Sequence, residues 1–274
     1  MRIASLQYRF PILKPILQGV SRRFRNRDAI IQTGIGRGLK FNTAGSIAGY
    51  AVGISEPDLQ GALKLLAREG MVAYDIGANV GFFSVLLARL VGPAGQVYSF
   101  EPLPANARQI LYNARLNGFS NIHVDVAAVG ESDGEVPFRV TDFSTTGKLE
   151  SVGAVNVQTD EITARMRQLD AMVARGDIPA PELIKMDVEG AEVNVLEGAA
   201  EILERARPIL LIELHNTHER ALELLAKHRY VVRTLGTSLS PREAGWNCRI
   251  VAAPQERQDF TTLIPRLTDA RPVS

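Results

Sequence analysis

Cys248 is the sole cysteine among 274 residues. A disulfide within the chain is therefore impossible, and a cysteine-built metal site is excluded. Tryptophan is equally scarce, with Trp246 alone, and the 4 histidines confine any imidazole chemistry to His123, His215, His218 or His228. No uninterrupted apolar run is long enough to cross a bilayer, and no stretch joins a secretory core to a cleavage site. The formal net charge of +1 argues against a protein built to grip nucleic acid. What remains is 46% hydrophobic, with 23 glycines and 14 prolines, as expected of a globular α/β chain with one sizeable core.

Charge is placed unevenly. Residues 1–40 carry nine Lys or Arg, among them Arg22, Arg23, Arg25 and Arg27, against the single acid Asp28. Leu6, Phe10, Ile12, Leu13, Ile16 and Leu17 precede the basic cluster, so the segment can lie on an anionic membrane surface. The commoner outcome for such a stretch is packing across its own domain with its charges in water. The expectation is a basic N-terminal segment over 1–56, a main domain over 57–260 and a loose tail over 261–274. A cytoplasmic location fits, with peripheral membrane contact through the first segment. Nothing in the sequence fixes an oligomeric state.

From residue 57 the order is regular. The patterns predict a helix over 57–69, strand 72–76, helix 80–91, strand 96–100, helix 104–117 ending at Asn117-Gly118, and strand 122–127. These strand–helix steps are what a doubly wound sheet requires. Glycines 130, 134, 147 and 153 then break the rhythm. An insertion near 130–160, with short strands at 136–140 and 154–158, is expected as a hairpin or lid over the carboxyl edge of the sheet. Ser144, Thr145 and Thr146 read as turn residues. A helix over 160–175 returns the chain to the core, and another is expected over 191–205. Tyr230–Leu235 and Cys248–Ala253 read as a closing antiparallel hairpin, with Trp246 in the loop between them.

Asp75-Ile-Gly-Ala-Asn79-Val-Gly81 closes a short apolar strand, opens a helix, and is followed by Glu101 at the end of the next strand. Glycines here allow a tight turn and a close approach of a nucleotide, and a carboxylate at the second strand end can accept hydrogen bonds from ribose hydroxyls. The turn is not Gly-x-Gly-x-x-Gly, so nothing is shaped for a pyrophosphate. S-adenosylmethionine fits better, with Asp75 near its cationic amino-acid end, Gly77, Asn79 and Gly81 beneath the nucleoside, and Glu101 on the ribose. NAD is the rival, since an acid at that position serves it equally well. The bland alternative makes Asp75 a helix cap and Glu101 a solvated carboxylate.

Leu183-Ile-Lys-Met-Asp187-Val-Glu189-Gly-Ala-Glu192 delivers a second carboxylate to the same sheet edge, and Ile209 to His215 forms another apolar strand with a polar end. Asp187, Glu189, Glu213 and His215 are therefore expected to converge. Methyl transfer to a hydroxyl needs the nucleophile aligned with the methyl carbon and a base to take its proton. His215 titrates in the useful range and Asp187 is the alternative base, while Glu189 and Glu213 can hold substrate or fix the imidazole. The same groups would suit a divalent metal, though spacing assigns no ligand set. Local capping by Glu189 and a core role for His215 are the structural alternatives.

Four motifs carry a resemblance: Asp-Ile-Gly-Ala-Asn-Val-Gly at 75–81, Phe-Glu-Pro-Leu-Pro at 100–104, Ile-Lys-Met-Asp-Val-Glu-Gly-Ala-Glu at 184–192 and Ile-Glu-Leu-His at 212–215. Occurring in this order over roughly residues 50–254, they resemble the FkbM family of S-adenosylmethionine-dependent methyltransferases. The resemblance implies the class I methyltransferase fold, a Rossmann-like, seven-stranded, mostly parallel sheet with helices on both faces and a C-terminal antiparallel hairpin. It also implies that Asp75, Gly77, Asn79, Gly81 and Glu101 lie on the cofactor side, and that Tyr50 and Glu56-Pro57 belong to a segment covering the pocket. The implied activity is O-methylation of a small metabolite, glycan, polyketide or lipid-linked acceptor. An NAD-dependent oxidoreductase and a non-catalytic adaptor are the alternatives, the former lowered by the lack of a reducing tyrosine–lysine pair.

Overall fold

The computed structural model describes residues 27–44, 46–140 and 160–257. Arg22, Arg23 and Arg25, the Ser144–Thr146 turn, the strand expected at 154–158 and the tail lie outside the described residues. Strands β1 (Asp28–Ile30) and β2 (Lys40–Asn42) pair antiparallel, ahead of helices α1 (Ala48–Val52) and α2 (Pro57–Leu66). Alternation then begins with β3 (Val72–Ile76), α3 (Phe82–Val91), β4 (Gln96–Phe100), α4 (Pro104–Leu116) and β5 (Ile122–Asp125). The excursion contributes β6 (Ala128–Val129), β7 (Gly134–Val140) and β8 (Asp160–Arg167), a separate three-stranded sheet in the order β6-β8-β7. Next come α5 (Leu169–Ala174), β9 (Leu183–Met186), α6 (Glu192–Glu197), α7 (Ala200–Arg205), β10 (Ile209–His215) and α8 (His218–Lys227). The hairpin strands β11 (Tyr230–Thr234) and β12 (Asn247–Pro254) close the order.

The main sheet runs β11-β12-β10-β9-β3-β4-β5, with β12 antiparallel to both of its neighbours. This is the class I methyltransferase arrangement. Every residue of β9 and β10 is buried, as parallel strands covered on both faces require. Alternate side chains feed two apolar layers. Ala73, Leu183 and Leu211 pack into one with α3, while Tyr74, Ile184 and Leu210 pack into the other with α6 and α7. The chain leaves β3 outward through β4 and β5, then re-enters at β9 on its other side. That reversal opens a crevice at the carboxyl ends of β3 and β9, where ligands of open α/β sheets bind.

Two expected helices differ. The segment 160–175 is β8 up to Arg167 and helical only from Leu169, because Ile162 and Ala164 pair across to Phe138 and Val136 of β7. Long-range pairing overrides local propensity there. The helix expected over 191–205 is broken at Gly198-Ala199. Gly198 accepts a bond from the Asp170 amide, and a Cβ on it would lie 2.1 Å from the Gly130 carbonyl oxygen. The Asp170 carboxylate then accepts bonds from the Glu201 and Ile202 amides, so a side chain from α5 caps α7.

Candidate active site

The turn between β3 and α3 is left-handed at three places, Gly77 (φ +72°), Asn79 (φ +51°) and Gly81 (φ +84°). At Gly77 the demand for glycine comes from the fold. A Cβ there would sit 1.8 Å from the Asp187 carbonyl oxygen, so the exits of β3 and β9 could not cross so closely. This replaces nucleotide approach as the visible reason for that glycine. Glu101, at the end of β4, accepts the Asn79 amide at 2.8 Å, the Leu103 amide at 3.0 Å and the Asn106 amide group at 3.2 Å. Burial lifts its pKa to about 6 against the pull of these bonds. It therefore locks the turn from the carboxyl end of β4.

Asp75 departs from expectation. It is fully buried, with one oxygen 3.1 Å from the Lys185 ammonium and the other accepting the Ser84 hydroxyl at 2.7 Å. Ser99 donates to Ser84 at 2.9 Å, so a polar relay joins β9, β3, α3 and β4. Lys185 also donates to the Gly77 carbonyl at 3.2 Å and lies 5.2 Å over the Phe83 ring. Burial works against its charge, but Asp75, Asp187 and Glu56 outweigh it and raise its pKa. Asp75 thus shapes the turn from beneath instead of reaching for a ligand's ammonium. Sequence reasoning passed over Lys185, although a lysine inside the apolar run Leu-Ile-Lys-Met of a covered strand demands a counter-charge.

Asp187, Glu189, Glu213 and His215 do converge. The Nε2 of His215 lies 3.4 Å from Glu189, 3.8 Å from Asp187 and 3.8 Å from Glu213, while Nδ1 bonds Glu192 at 2.9 Å. Glu192 is fully buried and also accepts the Gly190 amide at 2.9 Å and the Thr217 hydroxyl at 2.7 Å. These bonds hold its carboxyl below the usual range despite burial. Burial disfavours the imidazolium, yet the Glu192 bond and the Glu189 and Asp187 charges raise the His215 pKa to about 9. The imidazole therefore carries its proton at neutral pH, a state in which it donates and does not accept one. Burial and the Glu213 and Glu189 charges push Asp187 up to about 6, against Lys185 and His215. Asp187 is thus one of the buried carboxyls of the site brought toward the neutral range.

The rim comes from distant segments. Tyr50 stacks on Phe82 with ring centroids 4.5 Å apart, and Glu56, left-handed at φ +49°, starts α2 beside the cluster. Burial with the Asp187 and Glu213 charges brings Glu56 up to about 7, against the pull of Arg249 and Lys185. Arg249 ion-pairs with Asp58 at 3.0 Å and, from the opposite register position on β12, with Glu213 at 3.3 Å. Neither Arg249 nor Asp58 was singled out from sequence, since only the β10–β12 pairing and the fold of α2 bring them together. Trp246 stands edge-on to His215 at 5.9 Å and remains 64% exposed. It borders a cavity of about 470 Å³ that Asn216, Thr217, Arg220 and Arg242 also line. His123, without a visible partner in sequence, stacks on Tyr98 at 4.8 Å, away from this cluster.

These shifts fix a stability trend. A histidine held at about 9 from a usual 6.5 contributes stability that is complete below 6.5 and lost as pH rises through 9. Glu56, raised from 4.5 to about 7, binds its proton more tightly when folded and so costs stability as pH rises across that interval. Both act in one direction. The melting temperature, followed by circular dichroism, is expected to fall between pH 6.5 and 9, and His215→Gln should flatten that limb. Parallel profiles for the two proteins would remove His215 as its source.

Comparison with known proteins agrees with this geometry. Residues 75–238 match the methyltransferase FkbM domain, more than half of the 274 residues. The hexuronic acid methyltransferase AglP of Haloferax volcanii is 26% identical over 161 residues, 57% of this chain and 62% of that protein. The AMB antimetabolite synthetase AmbE of Pseudomonas aeruginosa is 27% identical over 259 residues, 74% of this chain but 12% of that protein. The 31-O-demethyl-FK506 methyltransferase FkbM of Streptomyces tacrolimicus is 27% identical over 218 residues, 68% of this chain and 81% of that protein. The chain thus spans less than two thirds of the first two relatives. The motif turn, the carboxylate edge and the matched domain together place the chain in the FkbM methyltransferase family, whose fold is that of the S-adenosylmethionine-dependent enzymes.

Proposed function

We propose that this chain transfers the methyl group of S-adenosylmethionine to a hydroxyl of a small-molecule or glycan acceptor. The observation that carries the reading is the meeting of two half-sites at the β3/β9 switch point, the Glu101-locked turn on one side and the Asp187 cluster on the other. The cofactor's nucleoside would lie over Gly77–Gly81 with its ribose at Glu101. The acceptor would enter past Trp246, an aromatic face suited to a sugar, as the hexuronic acid named for one relative suggests. Bound S-adenosylmethionine would supply its methyl group to that hydroxyl and leave as S-adenosylhomocysteine, and Asp187 would take the hydroxyl proton. His215, positively charged when protonated, stabilises the developing alkoxide. The family assignment leaves the NAD-dependent reading without support.

Isothermal titration tests the cofactor half. S-adenosylmethionine and S-adenosylhomocysteine should bind and NAD should not. Glu101→Ala should weaken both by about tenfold or more, since hydrogen bonds to a charged group contribute roughly 1.5–3 kcal/mol each. Unchanged affinity in that variant would take the ribose away from Glu101, and binding of NAD alone would overturn the reading.

A further inference from the structure

His215 is oriented more firmly than proton transfer needs. Its side chain is only 4% exposed, and Nδ1 is pinned to a fully buried Glu192 that is itself held by the Gly190 amide and Thr217 hydroxyl. Such a carboxylate–imidazole pair fixes the tautomer and aims the other nitrogen, as it does for metal-ligating histidines. Nε2 points at the carboxylates of Glu189 and Asp187 from 3.4 and 3.8 Å, longer than a good hydrogen bond. The Oδ1 of Asp187 is buried and has no hydrogen-bond partner, an orphan acceptor turned into the same space.

We propose that Asp187, Glu189 and His215 form a binding site for a divalent metal cation. One donor atom from each lies within 4.8 Å of the others, about twice a metal–ligand distance of roughly 2.0–2.4 Å, so small side-chain rotations close the shell. Local charge favours the cation. Arg249 ion-pairs with Glu213 and Lys185 pulls on Asp187, but Lys185 is bonded to Asp75 and Gly77 and Arg249 to Asp58, so the two cations are shared among more acids than they can neutralise. Two carboxylate oxygens with one imidazole nitrogen suit a first-row ion such as Mn²⁺ better than an ion preferring oxygen alone. Three protein ligands leave positions open. Nε2 offers its lone pair to one occupant at a time, proton or cation. The role of the metal rests on the methyltransferase reading: with Asp187 and His215 taken up as ligands, the cation would replace them in acidifying the acceptor hydroxyl, chelating two neighbouring oxygens as a sugar diol presents. Binding itself does not rest on that reading.

The full chain, stripped with chelator, is titrated with Mn²⁺ while paramagnetic resonance counts the free ion. One ion should bind per chain. Glu189→Gln, a change at a 68% exposed side chain that the fold should tolerate, is expected to weaken it at least tenfold. Glu192→Ala should cost about 10–100-fold through loss of the orienting bond, and Glu131→Gln, on the exposed surface, should change nothing. A full free-ion signal at saturating protein, or equal binding in Glu189→Gln and wild type, overturns the site. Parallel titration of the metal-free chain with S-adenosylhomocysteine separates the two ideas. Nucleoside binding without Mn²⁺ binding ends the metal proposal alone, whereas Mn²⁺ binding without nucleoside binding upholds the site and sinks the methyltransferase reading.

Discussion

Lys185→Met should cost the fold about 3–5 kcal/mol, because it strands the buried Asp75 carboxylate without its counter-charge. The loss has a specific origin. Lys185 sits directly opposite Asp75 in the β3–β9 register and holds the Gly77 carbonyl, so the ion pair fastens the two strands at the point where the sheet reverses. Methionine keeps an apolar stem of similar length and removes the ammonium, with its bond to Gly77 and its place over the Phe83 ring. Adding Asp75→Asn to Lys185→Met should recover part of the loss, since the double variant no longer buries a lone charge. Urea unfolding of wild type, Lys185→Met, Asp75→Asn and the double variant checks this. A single variant within about 1 kcal/mol of wild type would mean that the pair contributes little to the sheet.

Asp187→Asn should lower methyl transfer by about 10²–10⁴-fold, the range for loss of a general base, while S-adenosylhomocysteine still binds. Asparagine keeps the shape and cannot take the proton. The wild-type rate should rise with pH through about 6, where Asp187 ionises, and the variant should lose that limb. The position of the limb decides between the two candidates. A limb near 9, kept in Asp187→Asn and lost in His215→Gln, would return the base role to His215.

The sheet was legible because its parallel strands are short apolar runs punctuated by turn residues. Strands 72–76 and 96–100 match their expected bounds, and the hairpin closes with β12 antiparallel as expected. Elements whose partners lie far along the chain were misread. Residues 160–167 look helical alone, yet they pair with 134–140, and the 191–205 helix reads as continuous until Asp170 arrives to cap its second half.

Within the site, the sequence by itself determined which residues end up at the carboxyl edge. A parallel strand delivers the residue after its last apolar position to one side of the sheet, so Glu101, Asp187 and His215 had to share an edge. Tertiary structure alone decided what each does there. Asp75, equally prominent in its motif, is taken by Lys185 and Ser84 beneath the surface. His215, neutral on its usual pKa, is charged because Glu192 at the start of α6 bonds the ring and Glu189 and Asp187, in the turn between β9 and α6, face its other nitrogen. Charge state depends on distances and burial, which belong to the folded chain, whereas strand ends and turns are written locally in the order of residues.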